Sequence, residues 1–101
     1  MIKSLQEKNG WVCIQLEGDI YVQDASLMRE ELLSYTESGK ANFDFDFSKV
    51  TFIDSAGLGV LVAIYKRAAQ HNGQVKISHA TGSVKELFEL TRLNLIFQIE
   101  G

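Results

Sequence analysis

Apolar and polar residues alternate along this chain in two rhythms. In Phe43-Asp44-Phe45-Asp46-Phe47 the period is two, so the phenylalanines share one face of a strand and the aspartates the other. Val12, Ile14 and Leu16 keep that rhythm in a strand predicted from Trp11 to Leu16, and Val75-Lys76-Ile77-Ser78 keeps it in a shorter one. Between them the spacing is helical. Ala25, Met28, Leu32 and Tyr35 form the stripe of a helix predicted from about Asp24 to Ser38, with Asp24 as N-cap and Gly39 as the stop. Leu58, Leu61, Val62, Tyr65 and Ala69 form the stripe of a second helix, from about Ala56 to Asn72, ended by Gly73. Val84, Leu87, Phe88 and Thr91 share one face of a third, opened by Ser83-Val84-Lys85-Glu86, which has the form of a capping box.

Residues 2–8 are a weaker strand candidate, joined to Trp11 by Asn9-Gly10, a strong hairpin signal. Gly18-Asp19-Ile20 breaks the alternation after strand two. A turn at Ser48-Lys49 leads into Val50-Thr51-Phe52-Ile53, and Leu95 to Ile99 reads as a final short strand. Strands alternating with helices imply parallel pairs joined by right-handed crossovers, and the opening hairpin makes the sheet mixed. The expected fold class is α/β, a single mixed sheet of about five strands with helices crossing over between parallel strands. The order of strands within the sheet is not readable from the sequence.

Composition narrows the function classes. The 101 residues suit one domain, 1–101, able to bury a core without staples. At 46% hydrophobic the chain is not disordered. Its net charge of −3, with basic residues scattered and only Lys66-Arg67 adjacent, argues against nucleic acid as a partner. Cys13 is the only cysteine, which rules out an internal disulfide and suits a reducing cytoplasm. The longest apolar stretch, Ala56 to Tyr65, is too short for a membrane span and reads as a buried helix, so no direct membrane insertion is expected.

Candidate chemistry gathers at Asp54-Ser55-Ala56-Gly57-Leu58-Gly59, where a strand ends and a helix begins. Ser55 can cap that helix. It can equally be an exposed hydroxyl that a kinase reaches. Gly57 and Gly59 cost helix stability, about 1 kcal/mol each, and so invite an explanation. They keep bulk off the first turn, for tight packing or for a partner's approach. If strands two and three are parallel neighbours, Asp19 and Asp46 could join Asp54 beside Ser55, holding a hydroxyl or a divalent ion carried by an approaching nucleotide. Asp44 reads as the solvated face of its strand. His71 and His79 have no companions at metal-ligand spacing, and His71 suits a helix C-terminus. Cys13 reads as a small buried hydrophobe. No phosphate-binding glycine motif or nucleophile elbow is present, and no metal, cofactor or enzyme activity is expected.

Gly18-Asp19-Ile20, Asp46-Phe47-Ser48, the run from Val50 to Gly59, Gly73-Gln74-Val75 and Val84-Lys85-Glu86-Leu87-Phe88 together resemble the STAS domain. This is the fold of bacterial anti-sigma factor antagonists and of sulphate-transporter tails. The resemblance spans nearly the whole chain, and the single-domain length favours the antagonist branch. It implies a cytoplasmic partner switch in which an anti-sigma factor/serine kinase of the ATPase-kinase type phosphorylates Ser55 and a serine/threonine phosphatase resets it. The partner-binding residues it implies are Asp19, Asp54, Ser55, Ala56, Gly57, Leu58 and Gly59. The family often has an aspartate after the Gly-acid-aliphatic triplet, and here that position is Tyr21. An alternative is a constitutive STAS subunit of a larger complex, such as a lipid-transport ATPase, with Ser55 only a helix cap. A small enzyme or nucleotide-binding domain has no motif behind it.

Overall fold

The alternating phenylalanines build the middle of the sheet. The structure, a computed structural model, describes residues 2–100, so Met1 and Gly101, the ends of the expected 1–101 domain, lie outside the described residues. The elements are β1 (Ile2–Lys8), β2 (Trp11–Ile20), α1 (Val22–Glu37), β3 (Asn42–Ile53), α2 (Ser55–Gln70), β4 (Gln74–Ser78), α3 (Gly82–Leu90), a 3₁₀ turn (Leu93–Leu95) and β5 (Gln98–Glu100). The described strands form one sheet in the order β1-β2-β3-β4-β5. β1 is antiparallel to β2, and every later pair is parallel. The mixed α/β sheet read from the sequence is therefore the fold.

Sequential order has a consequence for layering. Crossovers of one hand that step in one direction lay every helix on the same face. Burial agrees. Val12, Ile14, Leu16, Phe43, Phe45, Phe47, Val75 and Ile77 are buried against the helices, while Cys13, Gln15, Asp44, Asp46, Lys76 and Ser78 on the reverse face are half-buried. Met28 and Leu32 of α1, Leu61 and Ile64 of α2, and Val84 and Phe88 of α3 close the core. Phe88 stands edge-on to both Phe47 and Phe97, at 5.6 and 6.1 Å between ring centroids. Fully burying side chains of this size stabilises by about 1.5–3 kcal/mol each.

Asn9 and Gly10 both adopt positive φ, 55° and 83°, the requirement of the two-residue hairpin turn that Asn-Gly predicts. Element ends depart from the sequence reading. Asp24 does not cap α1. Tyr21 holds the N-cap position, and Asp24, three residues on, accepts a 3.1 Å hydrogen bond from the Tyr21 N–H. Thr81, not Ser83, precedes α3, and no side chain caps it. Leu95 belongs to the 3₁₀ turn, so the last strand begins at Gln98.

Ser48-Lys49 is not a turn. β3 runs straight through it with two single-residue bulges against β2, between the pairs Gln15↔Asp46 and Glu17↔Lys49, and between Gly18↔Val50 and Asp19↔Phe52. The Asp46 carboxylate accepts from the Ser48 N–H at 2.9 Å. One bulge would flip the strand's faces; two restore them, which is why Phe47 and Ile53 are both buried.

Gly73 joins α2 to β4 where the chain passes against the Ala41 backbone, and a Cβ there would collide with the Ala41 carbonyl. Gly73→Ala should lower unfolding stability by about 1–3 kcal/mol in urea titration, because backbone must move to admit the methyl group.

Candidate functional site

β3 carries the chain to a corner and α2 leaves it. Asp54 is extended, with φ −92° and ψ −179°, and its N–H donates to the Ile20 carbonyl at 3.1 Å, extending the β2–β3 ladder. Its carboxylate accepts from the Gly57 N–H at 3.0 Å. Asp54 is thus the N-cap, and Ser55 is the first helical residue. This corrects the reading of Ser55 as a cap. Aspartate and serine cap about equally well, so adjacent candidates are settled by which one the strand leaves extended. Ser55 is exposed, and no described residue hydrogen-bonds its hydroxyl.

The two glycines divide in role. A Cβ on Gly57 would come within 2.6 Å of the Ile53 side chain and 3.1 Å of the Ile20 side chain, so its bareness seats the first turn of α2 on the ends of β2 and β3. Leu58 is only 6% exposed and anchors the same seat. Gly57 and Leu58, expected at a partner surface, therefore face inward and serve the fold. Gly59 is exposed, and a Cβ there would meet nothing within 4 Å. Packing does not require it. Ala56 is half-buried.

Asp19 flanks the corner. Its carboxylate accepts from the Thr51 hydroxyl at 2.6 Å and, at 3.4 Å, from the Tyr21 phenol. Tyr21 lies against Phe52 with ring centroids 5.4 Å apart, and both rings are exposed. The Asp19 charge pushes the Tyr21 phenol above its usual value; desolvation, the hydrogen bond to Asp19 and the Asp54 charge push the same way. Asp19, Tyr21, Asp54 and Ser55 thus share one end of the molecule.

Asp46 does not join them. β3 continues past it to Ile53, which places it roughly 20 Å down the strand from the corner at about 3.3 Å per residue. It lines an open concavity of about 270 Å³ on the reverse face of the sheet, together with Asp44, Gln15, Ser78, His79 and Cys13. There Asp44 accepts from the Ser78 hydroxyl at 2.8 Å. Cys13 is half-buried, not enclosed. Among the described residues no group of three or more His, Cys, Asp or Glu is placed to hold a metal ion. Among the described residues no helix is long and apolar enough to cross a membrane. His71 takes the C-cap position of α2, as expected.

Thr51, Phe52 and Val22 belong to this end and the sequence did not single them out. Val50-Thr51-Phe52-Ile53 has no alternation to read, and it is the second bulge that turns Phe52 outward, 43% exposed, beside buried Ile53.

The sequence profile of the STAS domain matches residues 3–101. The anti-sigma-B factor antagonist of Bacillus subtilis (strain 168) is 31% identical over 88 residues, covering 87% of this chain and 80% of the relative. Two solved structures share the fold. The anti-sigma factor antagonist SpoIIAA in its unphosphorylated form has a TM-score of 0.81 at 15% identity, covering 98% of this chain and 86% of that one. The Bacillus cell fate determinant SpoIIAA in its phosphorylated form has a TM-score of 0.80 at 16% identity, covering 98% and 90%.

Asp54→Ala should cost about 0.5–2 kcal/mol in thermal or urea unfolding, as loss of a cap does. Ser55→Ala should stay within about 0.5 kcal/mol of the parent, as an exposed site does. Asp19→Asn should bring the Tyr21 phenol down toward 10.0, read by NMR titration of labelled tyrosine. The sign follows from linkage: a phenol raised in the folded state holds its proton longer than in the unfolded chain, so stability falls as pH climbs above the ordinary value, and Asp19→Asn lessens that fall.

Proposed function

The chain belongs to the STAS domain family, and from that premise we propose that it is a regulatory binding module that antagonises an anti-sigma factor and is switched by reversible phosphorylation of Ser55. One observation carries the reading: the Ser55 hydroxyl is exposed and unbonded at a helix start whose cap is the neighbouring Asp54. Modifying it costs the fold no hydrogen bond. A phosphate there meets the unpaired N–H groups and dipole of the first turn, which favour anions. The fold survives. SpoIIAA, recorded in both phosphorylated and unphosphorylated forms, matches this backbone almost equally in each.

The surface does not stay the same. Phosphate adds about −1.5 to −2 charges at pH 7 beside Asp54 and close to Asp19. A partner fitted to a neutral hydroxyl then meets bulk and unpaired charge in a desolvated contact. A hundredfold loss of affinity needs about 2.7 kcal/mol, within reach of one such clash. The partner is an anti-sigma factor that is also an ATPase-type serine kinase, and a serine/threonine phosphatase restores the hydroxyl. Gly59 fits the same picture: it leaves the exposed side of α2 low, where a partner's backbone can approach.

A second reading has its own observation. Tyr21, Val22 and Phe52 expose apolar surface beside Ser55, the kind a permanent subunit contact covers, and Tyr21 stands where the family often has an acid. In that case the chain is a fixed part of a larger assembly and Ser55 is never modified.

Fragment mass spectrometry of protein from its host, with its co-purifying proteins, separates the two. Phosphate on Ser55, with a kinase-like partner bound only to the unmodified form, supports the switch; unmodified Ser55 with stoichiometric transporter subunits supports the fixed subunit. In calorimetric titration with the kinase, Ser55→Ala should bind as the parent does and Ser55→Asp at least about tenfold more weakly, a loss of about 1.4 kcal/mol. Equal affinities would sink the switch. Gly59→Ala should gain up to about 1 kcal/mol of stability and yet lose affinity.

A further inference from the structure

At one level of the sheet β2 has a bulge against it on both sides. Against β3, the pair Gln15↔Asp46 is followed by Glu17↔Lys49, so one extra residue of β3 brings Lys49 opposite Glu17, where a regular ladder would set Ser48. Against β1, the pairs Ser4↔Gln15 and Ile2↔Leu16 leave Lys3 as the extra residue. A regular ladder would set Lys3 opposite buried Leu16; the bulge gives that place to Ile2. Bulges re-aim side chains. Each of these two re-aims a lysine, and both lysines arrive at the same glutamate. The Lys3 ammonium lies 4.0 Å from the Glu17 carboxylate. Leu16 points into the core, so Glu17 beside it points to the reverse face of the sheet. Lys3, Glu17 and Lys49 are all exposed there.

Two amines crowded onto one carboxylate do not hold their protons alike. Lys3 and Lys49 are in hydrogen-bond contact. An ammonium is a donor only, so one amine of such a pair can accept from the other only through the lone pair it gains on losing a proton. That contact, then the like charge of Lys3 and desolvation, hold the Lys49 ammonium below the usual lysine value; the Glu17 and Asp46 charges pull it the other way and do not cancel the fall. A lysine beside a second cation is activated as a nucleophile in this way.

We propose that Lys49 is an acylation site whose donor is a small acyl phosphate, held through its phosphate by the Lys3 ammonium. The Lys49 nitrogen attacks the acyl carbon. A carbon–nitrogen bond forms, the bond from that carbon to the phosphate oxygen breaks, and phosphate leaves with the electron pair. The proton shed by the amine passes to the released phosphate. The amide formed carries no charge, so the repulsion between the two lysines ends. No step involves Ser55 or a protein partner, and the proposal does not rest on the partner switch.

The test incubates the full chain with acetyl phosphate and follows acetylation of each lysine in time by peptide mass spectrometry. Lys49 should react at least about fivefold faster than Lys66, an exposed lysine of α2. Lys3→Met should bring Lys49 down to the rate of Lys66. Lys3→Arg keeps the cation and should retain most of the preference. The midpoint of the pH–rate profile of Lys49 should rise in Lys3→Met, because the group that pushes its proton off is gone. Lys3 is exposed, so both variants should fold, and circular dichroism checks that they do. Lys49 reacting no faster than Lys66 overturns the proposal. So does an unchanged Lys49 rate in Lys3→Met, or acetylation of Lys3 ahead of Lys49.

Discussion

The parallel ladder between β2 and β3 is the constraint on which the rest depends. It ends with the Asp54 N–H on the Ile20 carbonyl, so the last rung of the sheet is also the first residue of the helix cap. That one bond sets Asp54 extended, aims its carboxylate at Gly57 and leaves Ser55 outside. Gly57 completes the arrangement, since only a bare Cα lets α2 settle onto Ile20 and Ile53. Ladder, cap and seat are one cooperative unit, and Ser55 is the residue that the unit does not use.

Much of this was legible in the chain. Period-two and helical spacing located the central strands and all three helices, because burial of one face demands those rhythms. Asn9-Gly10 named its turn, because few residues tolerate positive φ at two successive positions. The candidate corner was legible as Asp54-Ser55 with glycines after it, but the division of labour was not. Whether Asp54 or Ser55 caps depends on where the ladder ends. Whether Gly57 or Gly59 is bare for packing depends on which faces Ile53. Two bulges in β3 hid the exposure of Phe52, since each shifts the faces by one residue and their effects cancel by Ile53. Asp46 was drawn to the corner by a parallel pairing that is correct, with the length of β3 beyond it underestimated.

The chemistry at the corner is a matter of what stays neutral. Asp19 and Asp54 already supply negative charge, and the Tyr21 phenol between them is held in its protonated form. In the proposed switch a hydroxyl at Ser55 keeps the surface within reach of an uncharged contact, and a phosphate does not. Such a site does not need to change the backbone to change its affinity. The proposed switch needs a fold rigid enough that the charge change is felt by the partner and not absorbed by a local shift. The buried side chains under Leu58 and the cap on Gly57 supply that rigidity.

The sheet order β1-β2-β3-β4-β5 has a consequence for how the molecule comes into being. Each strand pairs only with the strands just before and after it in the chain. As synthesis proceeds from the N-terminus, every new strand therefore finds its template already made, and none waits at an open edge for a distant partner. Each parallel pairing closes over a single crossover and not over the whole chain, which limits the entropy to be overcome at each step. The corner at Asp54 can form once β2 and β3 are out, before β4 exists. The ladder that fixes Asp54 is thus complete once β3 has formed, and the later elements are added onto it.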